Sequence, residues 1–261
     1  GSTYFIGGPG QFILQAGRDL FLKPSEPAST VKQTLTTTPY GVQAVGNRLN
    51  PYLPATSADI NLLFGVGPSL DQAAFVDLYI NPAHAGSVTK SYAAELTTYM
   101  EERLAREVRE RDPLADDTIT LTAEEAFTLF TQLSPSAQLP FVQQVLFAEL
   151  RVIADRLNNP DQFQNYPRAY QAIATLFPAR LGYTDNLASA PRQVATGDFD
   201  MLDAVVRTEF GSDINILGPG GRATLGGLNS LSTLPANVQG VFTLRGGDIN
   251  AYVDGNFDVF N

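Results

Sequence analysis

Gly247-Asp248-Ile249-Asn250-Ala251 is one of five copies of the same phrase. The others are Ala58-Asp59-Ile60-Asn61-Leu62, Gly197-Asp198-Phe199-Asp200-Met201, Ser212-Asp213-Ile214-Asn215-Ile216 and Gly255-Asn256-Phe257-Asp258-Val259, with a looser copy at Arg18-Asp19-Leu20-Phe21-Leu22. Each copy pairs a small residue with Asp or Asn, which suits a turn, and then alternates apolar with polar residues as a short strand does. Strands of about three to five residues are too short to stand as hairpins. Stacked coil on coil, they can pair above and below, with Ile214, Ile216, Ile249, Ala251, Phe257 and Val259 facing a common core and the Asn side chains forming ladders. One strand unit repeated in this way predicts a parallel β-helix, or β-solenoid. The spacing is irregular, 15 residues from Asp198 to Asp213 and 35 from Asp213 to Asp248. Two coils of about 20 residues would account for the longer step, and a β-sandwich with Gly-Asp turns remains the other reading.

Working outward, the glycines divide the chain. Between Pro68 and Arg192 there are only Gly86 and Gly182, and the other glycines lie in the flanks. The flanks read as strands and turns, the middle as helices. Residues 88–111 lack Gly and Pro and place Tyr92, Leu96, Tyr99 and Leu104 near helical spacing, with Glu101, Glu102, Arg103, Arg106 and Arg109 on the other face. Thr122-Ala123-Glu124-Glu125 is a capping-box pattern opening a helix with Ala126, Phe127, Leu129, Phe130 and Leu133. A further helix is expected after Pro140, with Val142, Val145, Leu146, Leu150, Ile153 and Leu157 inward, ending at Asn158-Asn159-Pro160; a shorter one is expected over 170–177. The expected organisation is a discontinuous β-solenoid, 1–67 and 194–261, interrupted by a mostly α-helical inserted domain, 68–193. An independent helical domain strung between two unrelated β domains is the alternative.

The chain has 261 residues, a net charge of −10 and 17 basic residues. So few cations argue against nucleic acid or an anionic membrane as partner. No apolar run approaches the roughly 18 residues of a membrane span, so no membrane insertion is expected. No signal-peptide pattern is present, and Gly1-Ser2 reads as a cloning remnant on a piece of something longer. The chain has no cysteine, which removes disulfides, thiolate metal sites and cysteine nucleophiles.

Gly218-Pro219-Gly220-Gly221, directly after Ser212-Asp213-Ile214-Asn215-Ile216-Leu217, resembles the filamentous haemagglutinin family of exoproteins. So does Phe242-Thr243-Leu244-Arg245-Gly246-Gly247-Asp248-Ile249-Asn250-Ala251-Tyr252. The segments from Tyr170 to Pro178 and from Ala44 to Pro54 are similar to a C-terminal region of these large adhesins of two-partner secretion systems. The resemblance covers both flanks and touches the insertion. It implies a secreted or outer-membrane-associated fibre of a Gram-negative bacterium with a right-handed β-helical shaft and a role in cell adhesion. It also implies a secretion-pore partner for the parent protein and a host or bacterial cell-surface glycan or protein as target. It brings no catalytic residues.

The residues themselves offer little chemistry. His84 is the lone histidine, in a turn-like Asn81-Pro82-Ala83-His84-Ala85-Gly86, so a multi-histidine zinc site is excluded and a Ser–His–Asp triad would have to use it. Asp254-Gly255-Asn256-Phe257-Asp258 matches the first half of a calcium loop but lacks the central glycine and distal Glu. Gly218-Pro219-Gly220-Gly221-Arg222 and Gly7-Gly8-Pro9-Gly10 lack the Lys-Ser/Thr of a phosphate loop and read as turns. Asp198, Asp200 and Asp203, with Asp213 and Asp248, could serve a polysaccharide-acting β-helix enzyme; residues 198 and 200 would share a strand face about 7 Å apart. The same Asp recurs in nearly every copy, which favours architecture over a single active site. No metal, cofactor or catalytic residue is assigned. Of the aromatics gathered in the insertion, Tyr166, Tyr170 and Tyr183 lie near Pro or Gly and are the candidates for contact with a glycan or protein; a packed tyrosine is the competing reading for each. The expected function is structural and adhesive, with the helical insertion as binding head. A lyase or glycosidase and a fibre-assembly module are the alternatives.

Overall fold

The computed structural model describes residues 3–22, 40–50, 52–67, 69–84, 91–112, 114–157, 166–183, 196–202, 204–226 and 239–260, with the backbone alone at 153–157 and 166–167. The chain divides into two compact units, one of 1–69 with 180–261 and one of 70–179.

In the first unit the chain makes four passes of three strands. These are β1 (Thr3–Ile6), β2 (Gly10–Gln15) and β3 (Leu20–Phe21); β4 (Tyr40–Ala44), β5 (Ala58–Leu63) and β6 (Phe199–Leu202); β7 (Ala204–Thr208), β8 (Ile214–Gly218) and β9 (Ala223–Gly226); and β10 (Gly240–Thr243), β11 (Ile249–Val253) and β12 (Phe257–Phe260). Each sheet takes one strand from every pass, in the orders β1-β4-β7-β10, β2-β5-β8-β11 and β3-β6-β9-β12. All pairings are parallel. Residues of one type therefore stand in columns. Phe12, Ile60, Ile214 and Ile249 share one, and Leu14, Leu62, Ile216 and Ala251 another. The inward columns of all three sheets meet in a single apolar core that includes Val42, Ile60, Phe64, Phe199, Ile216 and Leu225.

The five copies of the phrase fall into two columns. Asp59, Asp213 and Asp248 open β5, β8 and β11, whereas Asp198 and Asn256 open β6 and β12. The step of 35 residues from Asp213 to Asp248 is a single pass, since Ile249 pairs directly with Ile214. The two-coil reading of that step is thus corrected: extra residues lie between β9 and β10, and the cost of closing a longer connector grows only slowly with its length. The glycine at the corner before β6, β9 and β12 has a steric cause. A Cβ on Gly197, Gly221 or Gly255 would stand 2.1, 1.8 or 1.8 Å from the carbonyl oxygen of Arg18, Gly197 or Gly221 in the pass before. Only glycine lets the backbones approach so closely at this corner.

The side chains opposite the core also register the passes. The Asn215 amide donates to Asn61 Oδ1 and the Asn250 amide to Asn215 Oδ1, both at 3.0 Å. Gln11 ends this ladder. Its Oε1 accepts from Asn61 at 2.8 Å and its Nε2 donates to the Asp59 carboxylate at 2.6 Å.

The second unit holds α1 (Gln72–Tyr79), α2 (Ala93–Arg111), α3 (Ala123–Thr131), α4 (Pro135–Leu157) and α5 (Tyr166–Leu176). The capping box forms: the Thr122 hydroxyl accepts from Glu125 N at 3.2 Å and the Glu125 carboxylate from Thr122 N at 2.8 Å. Helix α4 starts before Pro140, contrary to the expectation from sequence. Ser134 caps it, accepting from Ala137 N at 3.3 Å, and Pro135 fits the first turn. Pro140 then sits inside the helix at the loss of one backbone bond. Its neighbours Leu139, Phe141 and Val142 are buried, and their packing offsets that loss. Helix α5 likewise starts four residues earlier than the sequence suggests, at Tyr166. Helices α2 and α3 pack together, as do α1, α4 and α5, and Phe141 lies edge-on to Phe130 at 5.6 Å.

The Asn ladder makes a graded prediction. Asn215→Ala leaves Asn61 and Asn250 both short of a partner and should cost about 1–3 kcal/mol. Asn250→Ala breaks one bond at the ladder's end and should cost visibly less. Urea unfolding of the two variants checks the order.

Candidate functional site

The most highly organised polar features of the first unit are two columns of carboxylates on backbone amides. Asp213 N donates to Asp59 Oδ1 at 2.8 Å and Asp248 N to Asp213 Oδ1 at 2.7 Å. On the neighbouring sheet, Asp198 N donates to Asp19 Oδ1 at 2.9 Å and Arg222 N to Asp198 Oδ1 at 3.0 Å. The Arg222 guanidinium also stands 3.4 Å from Asp198. Of the aspartates singled out as a carboxylate cluster, Asp198 and Asp213 thus hold one pass on the next. Asp203 lies outside the described residues.

The remaining sequence candidates are placed as follows. His84 is exposed in a short 3-10 turn between α1 and α2, with Nδ1 3.0 Å from the Asp77 carbonyl and 3.5 Å from its carboxylate. Asp254 N donates to Gly218 O at 3.0 Å, and Asn256 O accepts from Ala223 N at 2.8 Å, so this segment follows the pass-on-pass bonding. No cluster of three or more His, Cys, Asp or Glu able to hold a metal ion occurs among the described residues. Gly218-Pro219-Gly220-Gly221 ends β8 and turns into β9, where a Cβ on Gly218 would meet the Phe64 ring at 2.0 Å. No described helix is long and apolar enough to cross a membrane.

Of the three tyrosines, Tyr166 has its side chain outside the described residues. Tyr170 is half-buried on α5. Tyr183 is 7% exposed, and its hydroxyl donates to Ser69 O at 3.0 Å. Burial pushes that hydroxyl up to about 12. Tyr183 is a packed residue in this fold, which is the competing reading of it from the sequence.

Two features escaped the sequence reading. The first is a buried polar network in the helical unit. Glu149 on α4 is fully buried and takes both Nε and Nη2 of Arg168 on α5 in a bidentate pair. The Tyr92 hydroxyl at the start of α2 donates to the same carboxylate. Burial and the Glu149 charge raise the Tyr92 hydroxyl, and they push that of Tyr79 up to about 12. Glu149 is spaced like an ordinary surface glutamate in the sequence, and nothing local marks it. On the same helix Gln143 is also fully buried, and neither of its amide atoms has a partner among the described residues.

The second is the long turn between β4 and β5. Leu49 and Tyr52 are 90% and 94% exposed there and Leu53 is half-exposed. The turn is nevertheless braced. The Asn47 amide donates to Pro54 O at 2.8 Å, Tyr52 N to Asn50 Oδ1 at 3.1 Å, and Arg48 to Glu209 of the next pass at 3.2 Å. Its Asn and Pro content announces a turn, but only the fold shows that Leu49 and Tyr52 are left exposed on it.

No family model, curated protein or solved structure matches this chain.

Two predictions follow from the buried groups. Removing the carboxylate charge in Glu149→Gln strands the Arg168 guanidinium, and should destabilise the helical unit by about 3–5 kcal/mol, read as loss of helical circular dichroism on heating. Tyr79 and Tyr183 ionise in the unfolded chain near their ordinary value of 10.0 but near 12 when folded. The folded state then binds more protons between these values, so stability is level below pH 10 and falls from pH 10 towards 12. Tyr183→Phe should flatten part of that fall in a series of melting curves; an unchanged slope would count against the raised hydroxyl.

Proposed function

We propose that this chain is a non-catalytic structural and adhesive segment of a secreted, cell-surface exoprotein of the filamentous haemagglutinin kind. In this reading the three sheets wind as one parallel β-helix, the shaft, and the helical insertion is its binding head. The observation that carries the proposal is the use of the aspartates. Asp59, Asp213, Asp19 and Asp198 each accept a backbone N–H of the following pass. A carboxylate repeated as a structural acceptor serves continuous architecture, whereas catalysis concentrates its groups at one place. The shared core of all four passes agrees with a shaft built by stacking.

A shaft contributes length and surface, and the target is a cell-surface glycan or protein. The Tyr52 turn adds a braced apolar contact of the kind that anchors partners, because its side chains are exposed and already ordered. Adhesion is placed chiefly on the helical insertion, which interrupts the repeating winding. The parent protein would reach the surface through its secretion-pore partner.

The test compares the full chain with a version lacking residues 68–193 on panels of glycans and matrix proteins. Binding by the full chain alone is expected. Equal binding by the shortened chain would move the site to the winding, with Tyr52→Ala as the next variant. Release of sugar ends from acidic or neutral polysaccharides would overturn the non-catalytic reading.

A further inference from the structure

We propose that the turn between β4 and β5 is a docking loop for a protein segment that presents one carboxylate beside a large apolar side chain. The inference rests on the adhesive reading and names the chemistry of one contact within it. In the second and third passes, the large apolar side chains found exposed among the described residues are Leu49, Tyr52 and Leu53, all on this turn. Both passes have a neighbouring pass on either side. The exposure therefore belongs to the turn and not to an uncovered sheet edge.

The turn is a compact loop that bonds to itself. At its neck Gly46 has φ +59°, and a Cβ there would stand 2.2 Å from the Ala55 carbonyl oxygen. Asn50 N donates to Asn47 O at 2.8 Å and Leu53 N to Asn50 O at 3.2 Å. The Asn47 amide closes on Pro54 O, and Asn50 Oδ1 accepts from Tyr52 N. With these groups spent inside the loop, a partner is met by side chains. Those side chains stand on an ordered frame, which lowers the cost of binding. Tyr and Arg are also the residue types that most often dominate binding energy at protein interfaces.

The charge on the loop selects the partner. Arg48 reaches Glu209 through Nη1 alone, 3.2 and 3.4 Å from the two carboxylate oxygens. Its side chain is 45% exposed, and its Nε–Nη2 edge has no partner among the described residues. That edge is a fork able to hold a carboxylate by two parallel bonds. Arg207 donates to the same Glu209 at 3.0 Å, so two guanidiniums share one carboxylate and a positive charge is left over. Residues 45–57 contain no Asp or Glu. The whole chain carries −10, which repels a broadly acidic partner, so the complement is a single carboxylate next to apolar surface. A glycan fits less well. The Asn47 and Asn50 side chains, which could bond sugar hydroxyls, already bond within the loop, and Leu49 and Leu53 have nothing to offer a hydroxyl.

The experiment pans a phage library of random short peptides on the full chain, and then measures the enriched sequences as synthetic peptides. They should combine Asp or Glu with a large aliphatic or aromatic residue. Tyr52→Ser and Arg48→Gln should each weaken their binding about tenfold or more. Arg48→Lys keeps the charge without the fork and should not restore it. Both positions are exposed, and unchanged strand circular dichroism checks that each variant is folded. Failure to enrich any peptide, enriched peptides without a carboxylate, affinity indifferent to either substitution, or full binding by Arg48→Lys would overturn the proposal. So would a glycan whose binding is lost on Tyr52→Ser. If no peptide is enriched but the full chain still binds a glycan or matrix protein, this inference falls and the adhesive reading stands; binding to nothing at all would sink both.

Discussion

The bond from the Asp213 amide to the Asp59 carboxylate, and its repeat from Asp248 to Asp213, sets the register of the β unit. It does so at the N-terminal end of each strand. Ile60 N in turn donates to Asp213 O and Ile214 N to Asp248 O, each at 2.9 Å, so side chain and backbone agree on one alignment. A slip by one residue would carry Ile60 and Ile214 out of the core and bring Asn61 and Asn215 in. Once register is fixed at the corner, the connectors carry little responsibility for it. The chain leaves after β5, builds the entire helical unit, and returns at Phe199 in register with Leu20 of the first pass.

The helical unit solves its packing by other means. Its core is apolar around Phe75, Leu96, Phe130, Phe141 and Leu146, and apolar contact fixes helix orientation only loosely. The Glu149 carboxylate, held by Arg168 and Tyr92, ties α4 to α5 and to the start of α2 at one point. Such a buried pair adds little net stability compared with an apolar substitute, but it penalises any arrangement that separates its members. Here we read its role as specifying the packing of three helices. Both units thus spend their most ordered polar groups on architecture. The Tyr52 turn, left exposed, carries the argument for contact with other molecules.

Much of this was legible because the repeat is local. A strand of alternating apolar residues after Gly-Asp reads the same at Asp213 and at Asp248, and the glycine-poor stretch between Pro68 and Arg192 separated helices from strands. The capping box at Thr122 needs only residues within one turn, and it forms as read. The errors share a cause. Pro140 reads locally as a helix start, because the packing that offsets its lost bond comes from residues distant in sequence. The 35-residue step fits two passes on length alone, because sequence distance does not report which strands are neighbours.

By itself the sequence determined the strand phrase, the two textures, and the scarcity of histidine and cation. These are properties of composition and of spacing within a few residues. Only the tertiary structure decided that the five copies form two columns, that Gln11 closes one of them, and that Glu149 and Tyr183 are inside while Tyr52 is outside. Each of these depends on contacts between residues tens to hundreds of positions apart. A side chain's burial and its partners are set by what the chain brings back to it, and local pattern does not contain that information.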